Sequence, residues 1–244
     1  MYRLFSSMII LPLAAIIFTS LIMKPTTSTE ILVFTKTNGF RHASIPDGKN
    51  ALCQLAQQNN WTITISEDST RFSFKNLKKY DAVIFLNTTG NILGEKEQAA
   101  FEKYIRRGGA YVGIHAASDT EDEWDFYKKM VGAQFASHPK VQEVTLNVHK
   151  DCAHPSIAHL DKQWNITDEW YDFREPIPDY VTVLLDIDES TIEGKKMDTY
   201  HPIAWYHTYQ GGRCFYTGLG HTEKIYTNPD YLKHVEEGIK WAVK

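Results

Sequence analysis

Between residues 30 and 117, short apolar runs alternate with helix-patterned stretches, and this alternation leaves the chain few architectures. Residues 31–35 (ILVFT) form the continuous apolar run of a parallel strand buried on both faces. A polar loop, 37–42 (TNGFRH), and a helix-like stretch through Leu55 follow it. Residues 61–65 (WTITI), rich in β-branched side chains, and 80–86 (YDAVIFL) read as a second and a third strand. Between Gly94 and Arg107 the apolar positions Ala99, Ala100, Tyr104 and Ile105 recur at helical spacing, and Gly108 with Gly109 stops that helix before a strand at 110–114 (AYVGI). The order β-α-β-α-β-α-β predicts a mostly parallel sheet with helices on both faces and right-handed crossovers. Such sheets bind ligands at the carboxyl ends of their strands.

The second half is less regular. Residues 141–148 alternate like a half-exposed strand, 181–187 read as another, and 203–209 with 213–217 flank Gln210-Gly211-Gly212 as a hairpin. These predict an antiparallel extension of the sheet. A capping turn at Asn228-Pro229-Asp230, followed by a Leu232, Val235, Ile239, Ala242 stripe, closes the chain as a helix.

At 244 residues the chain can bury a sizeable core as one domain, expected over residues 30–244. Residues 1–25 stand apart: a short charged start is followed by an apolar run, 4–23, that ends at Lys24-Pro25. Its length suits a signal peptide or an uncleaved membrane anchor, so the domain is expected to be exported, either periplasmic or anchored outside the cytoplasm. Contact with a membrane is expected only through this segment. A net charge of -4 and a pI near 6.2 provide no basic surplus for a polyanion, so nucleic acid is not an expected partner. The three cysteines, Cys53, Cys152 and Cys214, are too scattered for a disulfide framework or a cysteine metal site.

Polar residues gather where strands end. In 109–117 (GAYVGIHAA) a buried strand runs into small residues, which implies a strand-to-helix elbow lifting His115 to the sheet's edge. Both a site role and a satisfied core histidine fit that position. His221 and Glu223 follow the last strand and are spaced so that a carboxylate could orient an imidazole. Arg41 and His42 lie in the loop after the first strand, where Arg41 suits an anion or sugar hydroxyls. Asp168 and Glu169 adjoin Trp170 and Tyr171; aromatic faces cover the apolar side of a sugar while carboxylates accept its hydroxyls or act as acid and base. Five histidines at predicted loop or strand-end positions, His42, His115, His138, His201 and His221, could also meet around a divalent metal such as zinc. His115, His138 and His221 are the expected ligands in that case.

Six short segments resemble the ThuA-like (trehalose utilisation) family in the family's order: 37–42, 113–117 (GIHAA), 131–135 (VGAQF) with His138-Pro139, 168–171 (DEWY), 201–205 (HPIAW) and 215–222 (FYTGLGHT). The resemblance implies a fold similar to class I glutamine amidotransferases, flavodoxin-like in its parallel part. In those enzymes the elbow carries a cysteine nucleophile and a later strand end a His-x-Glu pair. Here the elbow carries His115, so glutamine hydrolysis through a thioester is not expected. What the resemblance implies instead is carbohydrate utilisation. The expected activity is that of an enzyme on a disaccharide, glycoside or keto-sugar derivative, of glycosyl hydrolase, lyase or isomerase type. It would use His115, His221, Glu169 and Asp168 as acid/base groups, with a metal assisting in one version. Arg41, His42, Trp170, Tyr171 and Glu223 would bind the sugar. A sugar-binding module without catalysis, or a metal-dependent hydrolase of another substrate class, are the alternatives.

Overall fold

The computed structural model describes residues 28–244 except 175, 196, 198 and 199. The expected signal or anchor segment, 1–25, lies outside the described residues. No helix among the described residues is long and apolar enough to cross a membrane.

The strands are β1 (Thr29–Phe34), β2 (Trp61–Ser66), β3 (Ala82–Leu86), β4 (Ala110–Ile114), β5 (Phe135–Ser137), β6 (Gln142–Val148), β7 (Gln163–Asp168), β8 (Asp172–Phe173), β9 (Thr182–Ile187), β10 (Pro202–Tyr209) and β11 (Gly212–Thr217). The helices are α1 (Ile45–Asn59), α2 (Phe74–Leu77), α3 (Glu95–Arg106), α4 (Asp125–Val131) and α5 (Pro229–Ala242). Nine strands join one sheet in the order β2-β1-β3-β4-β11-β10-β9-β6-β7. From β2 to β11 every neighbour is parallel, and from β11 to β7 every neighbour is antiparallel. The predicted α/β architecture is therefore present, with an antiparallel extension as wide as the parallel part.

Burial explains the two halves. β3 and β4 are buried at every position, because successive side chains meet helices on opposite faces. Phe85 stacks on Phe101 of α3 and Tyr127 of α4, whereas its neighbour Leu86 lies against α1 at Gly48. Each such side chain contributes roughly 1.5–3 kcal/mol by leaving water. β6 and β7 alternate instead, since one face of the extension is open to solvent. β7 and α4 went unassigned from the sequence, although Trp164, Ile166 and Asp168 are buried at every second position of β7. The elbow also differs from expectation: residues His115–Asp119 form a 3-10 turn rather than opening an α-helix.

The core holds an acid-sensitive group. His234 of α5 is fully buried, its Nδ1 donates to the Ser156 carbonyl at 3.0 Å, and burial lowers its pKa from 6.5 to about 3. The unfolded chain therefore takes up a proton near pH 6.5 that the folded chain refuses. Stability is fully present above pH 6.5 and is lost as the pH falls toward 3, by up to ~1.4 kcal/mol per pH unit for this group. His234→Phe should lose some stability at pH 7 but show a shallower decline between pH 6.5 and 4 in denaturant titrations. An unchanged slope would rule His234 out as a contributor.

Candidate functional site

The site forms where four segments end on one rim of the sheet. β1, β4 and β11 run in parallel, so the loops that follow them bring His42, His115 and His221 to the same carboxyl edge. β7 is the far edge strand, but four antiparallel steps from β11 restore its direction, and Glu169 leaves it at that edge too.

Each side chain is held from behind. His115 adopts a left-handed backbone (φ 49°), uncommon for a residue with a Cβ. The Tyr216 hydroxyl donates to its carbonyl at 2.9 Å, and His115 Nδ1 donates to the Gly218 carbonyl at 2.6 Å. That bond assigns the proton to Nδ1 and leaves the Nε2 lone pair facing the site. Gly220 takes φ 133°, and a Cβ there would meet Ile114 Cγ2 at 2.8 Å, so the turn before His221 requires glycine. The fully buried Asp168 carboxylate accepts the backbone N–H groups of Gly220 at 2.7 Å, Thr222 at 2.9 Å and His221 at 3.3 Å. The Gly220 carbonyl in turn accepts from Ser44, two residues after His42, and from Asn87 at the end of β3.

These supports bring four polar side chains together. One ligand-type atom from each of His42, His115, Glu169 and His221 lies within 4.8 Å of every other. Glu169 Oε2 is 3.0 Å from His221 Nδ1 and 3.4 Å from His115 Nε2, and its Oε1 is 3.0 Å from His138 Nδ1. The three inner imidazoles pack edge to face, with centroids 4.9–5.2 Å apart. Burial opposes ionisation of Glu169, but the imidazoles of His115 and His221 outweigh it and hold the carboxyl well below its usual range. Burial, aided by those same imidazoles, lowers His42 to about 3, so it is neutral. For His221 burial acts downward, yet the adjacent Glu169 carboxylate wins and raises its pKa.

The remaining candidates are placed differently. Asp168 bonds the backbone of the His221 loop and does not face the centre with its neighbour Glu169. Trp170 is fully buried, its indole donating to the Gln142 carbonyl at 2.8 Å, and so has no face to offer a sugar. Tyr171 is buried against the His115 ring at 4.2 Å. Arg41 is half exposed and paired with Glu67 at 2.7 Å. Glu223 is exposed at the start of a 3-10 turn, and Glu169 rather than Glu223 is the carboxylate against His221. His138 is nearly half exposed on the outer oxygen of Glu169, outside the tight cluster. His201 is buried and donates to the Tyr171 carbonyl at 2.9 Å, bracing the Glu169 segment. Sequence reasoning passed over two residues. Phe40 is 66% exposed and edges onto His42 at 4.9 Å, and Asp119 ends the elbow turn with its carboxyl raised by burial. An exposed phenylalanine beside a histidine and an acid four residues after the elbow were the available signals. Cys53, Cys152 and Cys214 are all free, and none stands at the elbow.

Asp168→Asn tests the support. The amide keeps the size but loses the charge that holds three N–H donors, so we expect a loss of about 1.5–3 kcal/mol in unfolding experiments. Amide exchange at Gly220 and Thr222 should quicken. Unaltered protection at both would show that the carboxylate does not hold the loop.

A family model described as trehalose utilisation (ThuA) matches residues 30–242. A ThuA-like protein of Bacteroides uniformis superposes with a TM-score of 0.76 at 22% identity, over 91% of this chain and 95% of that one. A ThuA-like protein of Parabacteroides merdae gives 0.73 at 19%, over 89% and 90%. A β-galactosidase of Bacillus circulans gives 0.55 at 10%, over 88% of this chain but 30% of the enzyme, a likeness of fold alone. No curated relative matches the sequence. With the family pattern covering nearly all the described residues and the elbow, strand ends and sheet order in place, the chain belongs to the ThuA (trehalose utilisation) family.

Proposed function

We propose that the protein is an exported enzyme of carbohydrate utilisation, acting on a disaccharide, a glycoside or its keto-sugar derivative at the centre formed by His42, His115, Glu169 and His221. The observation that carries this reading is the convergence of those four side chains at the carboxyl edge of the sheet in a chain of this family. The export rests on the apolar run at residues 4–23.

A keto group makes the neighbouring C–H acidic, and a base and an electrophile at one point then drive enolisation, isomerisation or elimination of a glycosidic oxygen. The Glu169–His138 pair reaches the surface and is the base side of such a site. The buried imidazoles on the inner oxygen of Glu169 are its electrophilic side. Phe40, exposed beside His42, takes the stacking role expected of Trp170, and Arg41 stands on the same loop.

The test is turnover of trehalose, its keto derivatives and a panel of glycosides by the full chain. Glu169→Gln should lower kcat by at least ~100-fold while the thermal transition remains cooperative. Phe40→Ala should raise KM by about 3–10-fold with kcat retained, the value of one lost aromatic contact. Binding of a sugar without turnover would instead make the protein a sugar-binding module. Neither binding nor turnover across the panel would sink the carbohydrate reading.

A further inference from the structure

Three nitrogens in the centre have no hydrogen-bond partner: His42 Nδ1, His115 Nε2 and His221 Nδ1. His42 and His115 are at most 5% exposed, so bulk water does not reach them. One orphaned imidazole nitrogen occurs in ordinary cores, but three around a single carboxylate call for something that uses them all. A proton shared between His221 and Glu169 would account for one and leave His42 and His115 unmatched.

The two spacings from Glu169 suit a cation, and the four ligand-type atoms lie within 4.8 Å of one another. Bonds of about 2.0–2.2 Å at angles between tetrahedral and octahedral put neighbouring ligand atoms roughly 3.0–3.5 Å apart. Glu169 Oε2 stands 3.0 Å from His221 Nδ1 and 3.4 Å from His115 Nε2, close but not aligned for an N–H···O bond. Outer partners of the kind that orient metal ligands are also present. Gly218 O fixes the His115 tautomer, Asp168 holds the His221 backbone, and His138 takes the second oxygen of Glu169.

We propose that His42, His115, His221 and Glu169 bind one divalent transition-metal ion through three imidazole nitrogens and one carboxylate oxygen. Relative to the set expected from sequence, His42 and Glu169 enter and His138 moves to the outer layer. Nitrogen-rich donors select zinc, manganese, iron, cobalt or nickel over calcium and magnesium, which prefer all-oxygen sites. A bound ion would polarise a sugar oxygen or carbonyl brought against it, which makes it the electrophile of the site proposed above. The metal site deepens that reading, and its test is independent of sugar turnover.

The full chain is stripped with chelator, dialysed separately against zinc, manganese, cobalt and nickel salts, and its metal measured against protein. One ion per chain is expected, with a higher melting temperature after reloading. His115→Ala and Glu169→Gln should each weaken binding more than ~100-fold, and Asp168→Asn by about 10–100-fold, the range seen for outer partners. His159→Ala, an exposed histidine elsewhere, should change nothing. Should the ligand variants fail to fold, cobalt loaded into the unaltered chain gives an independent reading: visible d–d bands of a nitrogen-rich site support the proposal, and the hexaaqua spectrum overturns it. No stoichiometric metal, or equal affinity in His115→Ala and the unaltered protein, also overturns it. Metal binding with neither sugar binding nor turnover would remove the carbohydrate reading alone, and turnover by metal-free protein would remove the ion's role as electrophile while leaving the measured metal site in place.

Discussion

The site depends on a buried carboxylate that faces the wrong way for catalysis. Asp168 is removed from water, and an ionised group there is tolerable only when its oxygens are fully engaged. It finds three backbone N–H groups in the turn after β11, and in doing so it ties the far edge strand of the antiparallel extension to the centre of the parallel sheet. Glu169 reaches His115 and His221 because its neighbour is fastened in this way. The extension is thus part of the site, carrying a carboxylate across the sheet that the parallel strands alone do not supply.

A second constraint acts at the elbow. A histidine with positive φ is strained, and such strain persists only where the surroundings over-determine it. Here the Tyr216 hydroxyl and the Gly218 carbonyl, both from the end of β11 and its turn, grip the backbone and the ring of His115. The turn that positions His221 therefore also orients His115, and both rest on Gly220, which no larger residue can replace without meeting Ile114. Geometry at the centre is set cooperatively by adjoining strand ends.

Much of this was legible in the sequence, for identifiable reasons. Parallel strands buried on both faces write themselves as unbroken apolar runs, so β1, β3 and β4 could be placed, and with them the elbow at His115. His42 and His221 follow from strand ends in the same way. β7 was less legible because an edge strand with one wet face shows only alternation, and Trp164, Ile166 and Asp168 were not read as its buried face. That omission made Asp168 and Glu169 look like twin site carboxylates, when the strand's pleat sends the first toward the backbone of the His221 turn and leaves the second to enter the centre. Trp170 and Tyr171 misled for a related cause: aromatic residues beside acids suggest a sugar platform, but only burial tells a platform from a prop.

The replacement of an elbow cysteine by histidine changes the kind of chemistry the fold can support. A thiolate at an elbow attacks; an imidazole whose Nδ1 is committed to a carbonyl offers one directed lone pair and stays in place. With His115 and His221 at the same Glu169 oxygen and His42 packed on both rings, the elbow becomes one corner of a cage of donors rather than the seat of a nucleophile. The charge balance follows the same logic. The Glu169 carboxyl, kept ionised by the imidazoles of His115 and His221, carries a negative charge where it is only 5% exposed. A cation held at the point of convergence would neutralise that charge and satisfy the orphaned nitrogens together, whereas protonating the imidazoles one by one would set like charges about 5 Å apart in a poorly hydrated space.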